Sequence, residues 1–76
     1  MDYTPAKELA DKVAASILRS GRTKASVASA AGIPHTTFNR KIHGHTEFTI
    51  SELLRIAEVL EIAPSALAPS AFLEVA

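Results

Sequence analysis

Apolar residues recur at helical spacing through most of the chain. Leu9, Val13 and Ile17 stand four residues apart, with Ala10, Ala14 and Leu18 as a parallel row beside them. Such a stripe is the mark of an amphipathic helix. Thr4-Pro5 ahead of it offers a hydroxyl at the N-cap and a proline where its missing N–H costs nothing. With Ser20-Gly21 behind it, the pattern predicts a helix over residues 5–19. Thr23 is the N-cap of a second, shorter helix whose apolar side is Val27, Ala28 and Ala31, and Gly32 stands where a left-handed residue ends a helix. Pro34 suits the first turn of a third helix, predicted to run to His43, with Phe38 and Ile42 as inward anchors and Gly44 as its stop.

Thr49-Ile50-Ser51-Glu52 reads as a capping box, hydroxyl at the N-cap and carboxylate three residues on. Phe48 before it is placed to staple the fourth helix, whose inner face is Leu53, Ile56, Ala57 and Leu60 and whose end falls near Glu61. Residues 63–67, led by Ala63-Pro64, predict a short fifth helix. No run alternates for the length of a strand. The expectation is an all-α, compact five-helix domain, one unit over residues 1–76 with its core in 4–68. The second and third helices, three residues apart around a glycine, are expected to form a helix-turn-helix. Small Ala28 and Ala31 let two helices so tightly joined approach each other.

Composition changes this picture little. A chain of 76 residues buries only about 60% of its unfolded surface, so its stability is modest. It has no cysteine, which rules out disulfides and thiolate metal sites, and leaves apolar packing by an apolar fraction of 47%. No apolar run nears the roughly 20 residues of a membrane span. The N-terminus lacks the order of a signal peptide, so a soluble cytoplasmic protein is expected.

Charge changes it more. The formal net charge is zero, which argues against a polyanionic partner until the positions are read. Residues 12–46 carry Lys12, Arg19, Arg22, Lys24, Arg40 and Lys41 and no acid, whereas every carboxylate lies in the flanks. A basic middle between acidic ends points to a surface that meets a polyanion.

The order Thr23-Lys24, Val27-Ala28, Ala31-Gly32-Ile33, Thr37-Phe38, Gly44, Leu53-Leu54-Arg55-Ile56-Ala57, Leu60, Ile62, Pro64, Leu67 resembles the lambda-repressor/Cro-like helix-turn-helix family. The likeness covers about residues 8–68. It implies a DNA-binding domain typical of phage and bacterial transcription regulators, here a sequence-specific repressor of phage or prophage type that acts by occluding a promoter. One place departs from the family pattern: where an apolar residue followed by Glu is usual before His43, this chain has Lys41-Ile42. The inward anchor is shifted by one residue, and the third helix is expected to be rotated slightly.

In that family the second helix of the motif lies in the major groove. Carried over by position, the implied base readers are His35, Thr36, Asn39 and Arg40. Their chemistry suits the task. Arg40 can pair with guanine O6 and N7, Asn39 with adenine N6 and N7, and the Thr36 methyl can touch that of thymine. Phosphate contacts are expected from Arg22, Thr23, Lys24, Thr37, Lys41, His43 and His45, which position the protein without specifying sequence. The two last contact a phosphate more strongly when protonated.

Other chemistry is weakly supported. His35, His43 and His45 lack the number and spacing of ligands that structural zinc requires, so no metal and no cofactor is expected. No nucleophile elbow, glycine-rich phosphate loop or carboxylate pair is present, and an enzyme is not expected. The competing function is a protein-interaction module on the same fold, an antirepressor or antitoxin half, without specific DNA binding. Such a module needs apolar or aromatic anchors on its third helix, where this chain has His, Thr, Asn, Arg and Lys. The tail, residues 69–76, holds Phe72, Leu73 and Val75. Packing against Tyr3 and the first helix is its favoured role. The others are a homodimer contact and the cut end of a longer protein.

Overall fold

A computed structural model describes residues 5–67. Four α-helices follow one another: α1 Pro5–Ser20, α2 Lys24–Ala30, α3 His35–Ile42 and α4 Ile50–Leu60. Among the described residues a 3-10 turn, Pro64–Leu67, follows them. Among the described residues there is no strand, so the all-α architecture stands, but the expected fifth helix is only this turn. None of the helices is long and apolar enough to cross a membrane. The Thr4 cap and the tail residues Phe72, Leu73 and Val75 fall outside the described residues.

α1 is the central element and packs against α2, α3, α4 and the 3-10 turn. Leu9, Ala10, Val13 and Ile17 are its buried face. Leu18, expected beside them, is 81% exposed. At 3.6 residues per turn it projects about 140° around the helix from Val13, too far for the stripe to include it. Its place on the inner side is taken by Ser16, buried and hydrogen-bonded from Arg19 Nη2 to Oγ at 3.2 Å.

The remaining core comes from Val27, Ala28, Ala31, Ile33, Phe38, Ile42, Phe48, Leu53, Ile56, Ala57, Leu60 and Leu67. α2 and α3 are thus each fixed by a few small or well-placed apolar residues, which leaves their other faces free of packing duty. Short helices of this kind are marginal alone and depend on that packing.

α2, α3 and α4 end in the same way. After α2, Ile33 N–H donates to Ala28 O at 2.9 Å and Gly32 N–H to Ser29 O at 3.1 Å. After α3, His45 N–H donates to Arg40 O and Gly44 N–H to Lys41 O, both at 3.0 Å. After α4, Ile62 N–H donates to Ala57 O at 3.0 Å and Glu61 N–H to Glu58 O at 3.2 Å. This is the paired hydrogen bonding of a Schellman motif, which needs one left-handed residue. Gly32 (φ +72°) and Gly44 (φ +82°) supply it cheaply, whereas α4 uses Glu61 at φ 58°.

A candidate nucleic-acid interface

α3 begins at His35, one residue later than expected, because Pro34 adopts an extended ψ of 140° and serves as the N-cap without a side-chain hydrogen bond. Phe38 and Ile42, buried and one turn apart, anchor it. The helical repeat then directs Thr36 and Arg40 outward, away from the two anchors. Asn39 and His35 lie on the flank toward α2, and Thr37 and Lys41 on the other. His35, Thr36, Asn39, Arg40 and His43 are exposed, and Thr37 is half-buried. All four implied base readers are therefore on the accessible side of α3. His43, expected at the rim, is the exposed C-cap of α3.

Between α3 and α2 a half-open cleft of about 80 Å³ is lined by Lys24, Ala25, Ala28, His35, Phe38 and Asn39. Its floor is apolar and its lip polar. His35 Nε2 lies 3.1 Å from Ser29 Oγ, which ties the imidazole to α2. At the other end of α3, His43 Nδ1 stands 2.7 Å from the carbonyl oxygen of Asn39. A carbonyl can only accept, so Nδ1 carries the proton, and Nε2 is left pointing elsewhere. The His43 and His45 rings are 6.3 Å apart and tilted by 40°.

The helix-start residues of α2 are also accounted for. Thr23 Oγ1 accepts from Ser26 N–H at 3.0 Å, and Ser26 Oγ donates to Thr23 O at 3.0 Å. The Thr23 hydroxyl hydrogen stays available to an outside acceptor. Arg22, Thr23 and Lys24 are all exposed. Among the described residues no carboxylate pairs with Arg22, Lys24 or Arg40.

Lys41 differs from these cations. Its Nζ lies 2.6 Å from Glu52 Oε1, and both side chains are only 12% exposed. Glu52 Oε1 also accepts from Thr49 N–H at 2.8 Å, and Glu52 N–H donates to Thr49 Oγ1 at 3.1 Å. The expected capping box of α4 is thus present, and the cation of α3 is inserted into it. Burial raises the Glu52 carboxyl's pKa, but hydrogen bonding from Lys41 and Thr49 and the Lys41 charge outweigh that and hold it below its ordinary value.

Sequence reasoning overlooked Arg55. Its Nη1 would lie 3.4 Å from a Cβ built on Gly32, which brings the guanidinium beside the turn between α2 and α3. Arg55 lies outside the acid-free stretch and between Glu52 and Glu58, so its sequence context resembles any solvated helix charge. Only the packing of α4 on α2 brings it to the turn. No protein-family model, curated protein or solved structure matches this chain.

Proposed function

We propose that this chain is a sequence-specific double-stranded DNA-binding domain in which α2 and α3 act as a helix-turn-helix of the lambda-repressor/Cro-like kind. α3 enters the major groove. Arg40 and Asn39 are its principal base readers, with Thr36 and His35 beside them. Arg22, Thr23, Lys24, Thr37, His43 and His45 hold the backbone. Lys41 leaves that set because its ammonium is committed to Glu52. The role is that of a transcription regulator, a phage- or prophage-type repressor that occludes polymerase.

The observation that carries this reading is the outward face of α3. It is polar, exposed and unpaired with any carboxylate, although only two side chains of the helix, Phe38 and Ile42, are buried. A solvated helix of a net-neutral protein has no need to keep its cations free of the acids that surround them.

The test is selection of bound sequences from random duplex DNA, repeated with Arg40→Ala. Loss of preference at one base position, with weak binding retained, supports base readout by Arg40; uniform loss over all sequences reassigns it to phosphate. A second reading, an interaction module, draws support from Ile50 and Leu54, one turn apart on α4 and 70% and 50% exposed. Absence of duplex binding at low salt would favour it.

A further inference from the structure

Phe38 and Ile42 lie almost on one line along α3. Two anchors in line fix where a short helix sits, but they resist rolling about that line poorly. Lys41 projects about 80° to one side of it. There it meets Glu52 at 2.6 Å, and Glu52 is itself held by Thr49 in the first turn of α4. On the other flank α3 packs against α2, with the His35–Ser29 contact at 3.1 Å as the polar link. The half-buried ion pair is thus a lateral tether of α3 to the cap of α4. Its geometry is narrow, since one carboxylate oxygen serves both Lys41 Nζ and Thr49 N–H.

A roll of about 20° moves an atom on the surface of a helix of about 10–12 Å diameter by roughly 2 Å. Hydrogen bonds to base edges tolerate only tenths of an ångström about their optimum. A slack tether would therefore leave α3 in the groove but scramble what it reads.

We propose that Lys41 and Glu52 are positioning residues whose ion pair sets the rotation of α3 on the core, and with it which of His35, Thr36, Asn39 and Arg40 meets the base edges. The second half of this statement rests on the DNA-binding reading; the first does not. The Lys41-Ile42 order then has a reason. It places a cation at the flank of α3 that faces the α4 cap, and the buried anchor directly after it.

The test uses Lys41→Met, which keeps the aliphatic stem, and Glu52→Gln, which keeps an acceptor for Thr49 N–H and hence the capping box. Lys41→Arg is the conservative control. Amide residual dipolar couplings of the full chain report the orientation of α3 relative to α1 and α4. They are expected to shift together over residues 35–42 in Lys41→Met and Glu52→Gln, to stay put in α1 and α4, and to return in Lys41→Arg. In DNA binding, Lys41→Met should bind random duplex at low salt as the parent does, but lose about tenfold in preference for the selected site.

Unchanged α3 couplings in both variants would overturn the proposal and leave the pair a contributor to stability alone. Shifted couplings with unchanged preference would overturn its link to readout. If Lys41→Met does not fold, Glu52→Gln gives the same two measurements. A parent chain that binds no duplex refutes the DNA-binding reading, and the couplings still decide whether the pair orients α3.

Discussion

The ring of Phe38 meets that of Phe48 edge-on, with centroids 5.8 Å apart and planes at 67°. This contact joins the middle of α3 to the residue just before the cap of α4. It is the favoured geometry for two aromatic rings and adds about 0.5–1.5 kcal/mol to the burial of each. The same two segments are joined a second time by Lys41 and Glu52. One link is apolar and fixes depth, the other ionic and lateral.

Phe38 is therefore expected to be the most costly side chain to remove from α3. It is 2% exposed and among the largest fully buried side chains of the domain. Truncation of a buried Phe costs about 3–5 kcal/mol. A domain of this size has only about 5–10 kcal/mol in total. Phe38→Ala should lower the urea midpoint by half or more, or leave the chain unfolded at 37 °C. Asn39→Ala, one residue along and exposed, should move it little. Equal effects from the two would mean that α3 is not anchored as described.

Glu61 offers the opposite kind of change. It is the only described non-glycine residue with positive φ, and it occupies the position that Gly32 and Gly44 fill after α2 and α3. A side chain in that conformation costs about 1–2 kcal/mol, partly offset by the greater freedom of glycine when unfolded. Glu61→Gly should stabilise the domain by about 0.5–1 kcal/mol. That corresponds to a rise in Tm of a few degrees, about 4–8 °C per kcal/mol at this size. Gly44→Ala should do the reverse. It meets both the φ of +82° and the stem of Lys7, whose Cδ would stand 3.4 Å from the new methyl.

Acid should act through Glu52. Its carboxyl is held below the ordinary value of 4.5: burial pushes it up, and the hydrogen bonds from Lys41 and Thr49 with the Lys41 charge push it further down. A group whose folded value is depressed contributes stability that is fully present above its unfolded value and is lost as pH falls through the folded one. The loss should thus set in near pH 4.5 and deepen below it. At neutral pH, Glu52→Gln should be less stable than the parent by about 1.5–3 kcal/mol, the worth of a hydrogen bond to a charged partner. The gap should narrow as both are titrated toward about pH 3. A gap that stays constant in urea unfolding over that range would exclude the carboxylate as the cause.

Much of this arrangement was legible in the chain itself. The 3.6-residue rows placed α1, α3 and α4 within a residue or two, and Thr49 with Glu52 marked the cap of α4 correctly. Gly32 announced a left-handed end of α2, a conformation glycine adopts cheaply, and Gly44 the stop of α3. Leu18 misled because a row of fours drifts around the helix, so its last member leaves the stripe. The segment after Glu61 misled because propensity says nothing about whether one turn becomes a second. Lys41 was legible as a cation but not as a tethered one. Its partner lies 11 residues away, and no local rule connects the flank of one helix to the cap of the next. Arg55 beside Gly32 was hidden for the same reason.

Under the proposed DNA-binding function, the commitment of Lys41 has a direct consequence for salt. A cation that neutralises a DNA phosphate releases a counterion, and each such contact adds about 0.9 to the slope of log affinity against log salt on duplex DNA. Lys24 is exposed at the start of α2 and has no carboxylate partner. Lys41 has its charge met by Glu52 at 2.6 Å with 12% of its side chain exposed, so it has no counterion to release. Lys24→Met should therefore flatten the slope by about 0.9 and weaken binding to all sequences alike. Lys41→Met should leave the slope of random-duplex binding unchanged. The measurement is fluorescence anisotropy on a random duplex from low to moderate salt. A slope reduced equally by both substitutions would return Lys41 to the phosphate-contacting set and require its ammonium to leave Glu52 on binding.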